Sequence, residues 1–380
     1  MPSQSEDIRI LGLTQRKFSY ENGKYQGRAA GLYNKLDQYF TLIGLEMVHA
    51  TRWVKALRAV RAFHPAREQW RVNFHKMSNT YQAFQYRSQL AQRKIQAKVG
   101  QFDLIFQLNT MQSPDKHLPY VLTMDSTRAQ RMYYWSKEAM SDYQNERWMT
   151  LEKEVYQNAQ FLFPRSEDTR QSLIKDYEIT PDKVICVGAG TDFWVQDLQK
   201  KDYTSQIALF VGIDFERKGG HVLLESWKQV IRYLPKAKLQ IIGPKTQLVD
   251  EQQGVEWLGR ITDRQYLQSL FDQATVLVLP SYFEPWGLVI SEAMGLGIPC
   301  IVPNHLGGKD MIIHGETGFQ VEPGDVDSLA EYLITLLSNP KMAKDFGYAG
   351  WQRVVDYYNW DAVINRMAPY IRSAVKGNST

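Results

Sequence analysis

Two glutamates, Glu284 and Glu292, stand eight residues apart in SYFEPWGLVISE, residues 281–292. The segment follows a buried-type apolar run, TVLVLP, and leads into a helical pattern. Pro285 and Gly287 mark a turn. Glu284 therefore sits in a loop at the strand's carboxyl end, and Gly287 lets the backbone approach a ligand. The amides of Leu288 and Val289 open the helix, where unpaired donors and a positive dipole end suit an anion. Glu292 falls one turn in, near the same mouth. A plain loop with an acidic helix start also accounts for these residues, since a carboxylate there favours the dipole.

A second strand-to-helix loop has the complementary chemistry. ALFVGIDFERKGG, residues 208–220, ends a strand at Gly212 and starts a helix near His221. Arg217 and Lys218 lie between, beside Gly219 and Gly220. Arg offers a planar fork and Lys a point charge, a pair that suits a diphosphate. The bland reading is a solvated basic turn. No G-K-[ST] closes the loop, so it is not a Walker loop.

These loops need a scaffold. The chain has 380 residues, 44% apolar and 23% charged, enough for two domains at ~150 residues each. Strand-like runs Ile207–Val211, Leu239–Ile242, Val255–Leu258, Thr275–Leu279 and Pro299–Val302 alternate with helical patterns His221–Tyr233, Asp263–Asp272, Leu288–Gly295 and Asp327–Leu337. That alternation predicts βαβ units and a parallel sheet. The first half has the same grammar: a strand Ile8–Leu13, a long helix Arg28–Val48, then strands Asp103–Leu108, Tyr120–Met124, Phe161–Phe163 and Val184–Val187. The expected linker is Gly188–Ser205. The fold class is α/β, two doubly wound Rossmann-like domains facing a cleft, with ligands at the carboxyl ends of the strands.

Taken together, the motifs resemble those of a family 4 retaining glycosyltransferase of the GT-B fold. The resemblance covers roughly residues 180–372 well and the first half weakly. It rests on E-x7-E at Glu284 and Glu292, on FVG…RKG upstream, and on GGKDMIIHGETGFQVEPGDVDSLA downstream. It implies an acceptor-side domain at 1–192, with a helix at 358–380 crossing back to it, and a nucleotide-sugar domain at 203–357. It also implies roles. Glu284 would bond the donor sugar's hydroxyls, and backbone amides around Trp286, Gly287, Leu288 and Val289 would hold the sugar and distal phosphate. Glu292 would take the ribose hydroxyls, and Arg217 and Lys218 the leaving diphosphate. Turns at Gly243 and at Arg260 and Ile261 would border the base. Many relatives carry an Arg where Ile213 stands. PYVLTMD, residues 119–125, resembles a strand that ends in a His in many relatives; here Asp125 holds that place, to orient the acceptor or steady positive charge. Capping of the next helix is the alternative job for Asp125. In the family's glycine-rich first loop, here YENGKYQGRAAG, Gly27 is the candidate for approach to the phosphates.

The resemblance implies a hexosyltransferase that uses a UDP- or GDP-hexose as co-substrate, with no cofactor and no metal. The acceptor would be a glycan or a lipid-linked sugar. Asp325-Val326-Asp327 matches a D-x-D metal pattern but follows Pro323-Gly324, which reads as a turn and helix cap. Rival readings are a basic peripheral binding protein with an inactive transferase-like half, and a GT-B-shaped sugar-nucleotide epimerase.

Net charge is +4, but residues 51–100 alone hold 11 Lys and Arg against one acid, Glu68. TRWVKALRAVRAF places Trp53, Val54, Leu57, Val60 and Phe63 near one helical face and its cations mostly off it. Residues 52–98 suit either a solvated surface or an anionic membrane surface. No binding module points to nucleic acid. Two cysteines, no basic-then-apolar leader and no 18-residue apolar stretch predict a cytoplasmic protein, membrane-associated on the cytoplasmic face if the basic stretch docks.

Overall fold

The structure is a computed structural model, which describes residues 8–27, 29–135, 141–193, 195, 198, 201–244 and 251–376, apart from the side chain of Glu68. Of the expected linker, residues 194, 196–197 and 199–200 lie outside the described residues, as do 377–380 of the expected last helix. The chain divides into two compact units, 1–187 with 364–380, and 188–363.

The first unit opens with β1 (Arg9–Thr14), a hairpin of β2 (Ser19–Glu21) and β3 (Lys24–Gln26), α1 (Ala30–Tyr39) and β4 (Thr41–Met47). Three helices follow: α2 (Arg52–Arg61), α3 (Arg67–Ser78) and α4 (Tyr81–Gln96). Then come β5 (Leu104–Leu108), β6 (Tyr120–Met124), α5 (Arg128–Tyr134), α6 (Asp142–Asn158), β7 (Phe161–Pro164) and α7 (Glu167–Lys175). The sheet is parallel, in the order β4-β1-β5-β6-β7. Its central strands β5 and β6 are buried at every residue, as strands covered on both faces must be.

The second unit contains β8 (Ile207–Val211), α8 (Gly220–Tyr233), β9 (Lys238–Ile242), β10 (Val255–Gly259), α9 (Arg264–Gln273) and β11 (Val276–Val278). It continues through α10 (Leu288–Gly295), β12 (Cys300–Pro303), α11 (Leu306–Met311), β13 (Gly318–Val321), α12 (Val326–Ser338) and α13 (Pro340–Asp356). The last helix, α14 (Trp360–Lys376), starts in this unit and passes into the first at Ile364. The parallel order is β10-β9-β8-β11-β12-β13. From β8 the chain builds outward to one side through β9 and β10, then returns to pair β11 with β8. The reversal lies between β8 and β11, the place where such sheets leave a crevice beyond their carboxyl ends.

The repeating α/β pattern is seen in both halves, with three differences from expectation. The expected helix over 28–48 is α1 followed by β4. Thr41-Leu42-Ile43 favours an extended chain, and pairing along β1 stabilises it. Val184–Val187 makes no strand; it meets β7 only through a bridge at Leu162–Val184 and two backbone bonds. The first loop is a hairpin closed by Asn22 and Gly23, both at positive φ, the two-residue turn that matches strand twist. Gly27 has a local reason to be glycine: a Cβ there would lie 2.6 Å from the Lys17 carbonyl oxygen.

Candidate functional site

The loops after β8 and β11 meet. Lys218 Nζ lies 2.7 Å from Glu284 Oε2, and their side chains are only 14% and 9% exposed. Arg217 donates through Nη1 to the Phe283 carbonyl and through Nε to Asp214 Oδ2 at 3.0 Å. The Tyr282 amide donates back to the Arg217 carbonyl at 2.9 Å. The basic turn is therefore braced against the glutamate loop, and both cations are held on the glutamate's side of the sheet. The solvated-turn alternative does not describe it.

The backbone makes this fit possible. Gly219 has φ +75°, and a Cβ there would sit 1.9 Å from the Pro280 carbonyl oxygen. The stem of Lys218 crosses Gly212, where a Cβ would come within 2.2 Å of its Cδ. A Gly219→Ala change should therefore force the two loops apart. The expected cost is about 2–4 kcal/mol in urea unfolding, together with loss of any ligand that needs both loops. Unchanged unfolding in that variant would contradict the packing.

Gly287 caps α10 in the left-handed region, and no side chain caps that helix. The first-turn amides of Leu288 and Val289 have no partner among the described residues. Leu288 is partly exposed and Val289 nearly buried. Trp286 is different. Its ring is buried, 5.6 Å from that of Tyr358 in an edge-on contact, so only its backbone can serve a ligand. The downstream glycine pair explains how that backbone is held: a Cβ on Gly307 would lie 2.3 Å from the Trp286 carbonyl oxygen.

Glu292 lies one turn into α10. Burial pushes its carboxyl up to about 7, against a smaller pull downward from Arg264. Arg264 begins α9, after the third loop of the site. Gly243, just after β9, and Gly259, the last residue of β10, are joined by an amide-to-carbonyl bond of 2.8 Å. Arg260 is exposed and Ile261 half-buried beside them, and Ile213 is exposed on the first loop. The second unit thus gathers acids, cations and free amides on the carboxyl side of one sheet. Sequence reasoning missed Asp214, which aims Arg217, and Arg264, which faces Glu292. A carboxylate three residues before a loop arginine was the available signal for the first.

Asp125 belongs to the first unit. It follows β6 and borders a pocket of about 450 Å3 with Gln15, Arg16, His75, Asn79 and Arg131. It does not cap α5. Thr127 does, in a capping box with Gln130. The Asp125 carboxylate has one hydrogen-bond partner among the described residues, the Ser126 hydroxyl at 3.5 Å. Asp125 lies close enough to Arg165 to prop up its guanidinium against the depression from burial, to which Arg16 adds. Glu152, the other acid of the pocket, is fully engaged by the Arg128 amide, Trp148 Nε1 and the Tyr177 hydroxyl. Burial raises its pKa.

Asp325 caps α12 through the Ser328 amide at 3.0 Å. His314 packs on Phe319 and Tyr332. Trp351 donates to the Val195 carbonyl, and Trp360 covers Gly190.

Residues 194–353 match the family described as glycosyl transferases group 1. Glycogen synthase of Mycobacterium tuberculosis is 31% identical over 179 residues, 44% of this chain and 43% of its own length. The chain thus spans under half of that relative. Sucrose-phosphate synthase from Thermosynechococcus elongatus shares the fold, with a TM-score of 0.69 at 20% identity over 97% of this chain and 100% of that one. The Anabaena protein Alr3699/HepE, solved in complex with UDP, gives 0.63 at 16% identity over 96% and 100%. The chain has the GT-B fold, and its residues 194–353 are similar to the glycosyl transferases group 1 family.

Proposed function

We propose that the chain is a retaining, metal-independent hexosyltransferase. It takes a hexose from a UDP- or GDP-sugar and places it on a hydroxyl of a glycan or lipid-linked acceptor. The observation that carries the reading is the Lys218–Glu284 pair beside the unpaired amides of α10. A cation, a sugar-binding acid and anion-binding amides share one mouth, which is what a sugar diphosphate requires.

In this reading Glu284 accepts hydrogen bonds from the sugar hydroxyls and Glu292 from the ribose. The bond from the anomeric carbon to the diphosphate oxygen breaks with its electron pair going to the oxygen. Arg217, Lys218 and the amides of Leu288 and Val289 stabilise that charge. The acceptor hydroxyl oxygen bonds the anomeric carbon on the face the diphosphate leaves. Its proton passes to the departing phosphate oxygen, so no protein base is needed. Fixed cations do the work a metal would otherwise do. Asp125 holds the acceptor from its own pocket, where an engaged Glu152 leaves it as the available carboxylate.

The test is release of free nucleotide diphosphate from a panel of UDP- and GDP-hexoses. One donor should be cleaved slowly without acceptor, and Glu284→Gln should lower the rate at least 100-fold. A folded protein that neither binds nor cleaves any donor would be an inactive relative, and one that alters the sugar without transferring it an epimerase. Asp125→Asn should leave donor affinity unchanged and slow transfer to acceptor about 100-fold, measured once an acceptor is in hand. Weakened donor binding in that variant would remove Asp125 from the acceptor side.

A further inference from the structure

We propose that the first unit docks through α2 onto an anionic lipid bilayer, laying Trp53, Leu57, Val60 and Phe63 into the boundary between headgroups and acyl chains. These side chains are 82%, 60%, 74% and 71% exposed. Trp53, Leu57 and Val60 recur at helical spacing on one face, and Phe63 follows at its edge. No residue of α2 is buried. An amphipathic helix in a globular protein turns its apolar face inward, and this one turns it to water.

The orientation is held by bonds on the other side. Trp70 Nε1 of α3 donates to the Ala59 carbonyl at 2.8 Å, and Asn73 Nδ2 to the Ala62 carbonyl at 3.4 Å. Ala62 is buried, and Val54, Arg58 and Ala59 are half-buried. Thr51 caps the first turn by accepting from the Val54 amide. The helix is therefore capped and seated, and its large apolar groups are left outside.

Charge selects the partner. Arg52 and Arg61 stand on either flank of the stripe, with Lys55, Arg67 and Arg71 nearby, all exposed. Glu68 is the one acid in residues 51–100. A convex stripe of this kind, with a tryptophan at one end and a phenylalanine at the other, suits a fluid surface that closes around it. Flanking cations can reach anionic headgroups while their stems stay apolar. No described helix is long and apolar enough to cross a membrane, so the contact is interfacial. It also bears on the acceptor, because α3 and its C-cap residue supply His75 and Asn79 to the Asp125 pocket. Docking brings that pocket close to lipid-borne sugars.

Vesicle sedimentation tests the proposal without relying on the transferase reading. The full chain should bind vesicles of phosphatidylcholine mixed with phosphatidylglycerol, and bind more weakly as salt rises. Trp53→Ser with Leu57→Ser should weaken binding at least tenfold. Arg52→Gln or Arg61→Gln should each weaken it about fivefold. Both kinds of variant should keep the parent's unfolding midpoint and any donor cleavage. Equal binding to pure phosphatidylcholine, undiminished binding by the serine variant, or capture by soluble polyglutamate with no vesicle binding would each overturn the proposal.

Discussion

Lys218→Met should abolish transfer and destabilise the protein together. The lysine is the cation closest to Glu284, the acid proposed to hold the sugar, and pre-aimed charges of this kind contribute about 100- to 1,000-fold to rate. Its removal also strands Glu284, whose side chain is 9% exposed and whose short ion pair is with Lys218. Breaking one side of a buried pair costs about 3–5 kcal/mol. The two effects separate in the double variant Lys218→Met with Glu284→Gln. That protein has no stranded charge and should recover most of the urea stability. It should recover no donor cleavage. If stability and activity return together, the pair serves the fold alone.

Glu292→Gln should uncouple stability from donor binding in the opposite sense. Burial raises the Glu292 carboxyl from its ordinary value of 4.5 to about 7. The folded chain therefore holds this proton more tightly than the unfolded chain. The resulting stabilisation is full below pH 4.5 and is lost as pH rises through 7. The loss is on the order of 2–3 kcal/mol. The glutamine variant has no proton to lose. Its unfolding midpoint should match the parent's near pH 5 and exceed it near pH 8. Donor binding should move the other way, weakened at least tenfold by loss of a charged acceptor for two hydroxyls. In the parent, affinity should rise between pH 6 and 8 as the carboxylate forms. A parent and variant with parallel stability curves would show that Glu292 is not held in this way.

Much of this arrangement is legible in the order of the residues. The alternation of apolar runs and amphipathic stretches specifies both parallel sheets, because strands buried on both faces leave nearly unbroken apolar sequence. The helix Leu288–Gly295 has the bounds its pattern predicts. The convergence of Arg217, Lys218 and Glu284 follows from one rule, that loops at the carboxyl ends of neighbouring strands share a crevice. What escapes is tertiary. β4 lies in a stretch whose local pattern reads equally as helix, and only pairing with β1 decides it. Thr127 takes the cap that Asp125 is also suited to fill. The need for glycine at Gly307 depends on a carbonyl more than 20 positions away. The apolar stripe of α2 is visible as periodicity, but the direction it faces is not.

The last helix has a consequence for how the molecule is made. Ile364, Met367, Ala368 and Ile371 are buried, Tyr370 meets Phe161 edge-on, and Arg366 donates to the Val187 carbonyl. The opening 187 residues therefore acquire this packing element only after residues 188–363 have been made. A ribosome-bound chain would carry an unsealed apolar groove while the later segment is already folding. Nascent chains stalled before residue 360 should be protease-sensitive and chaperone-bound in their first unit, and become resistant only once residues through Lys376 have emerged.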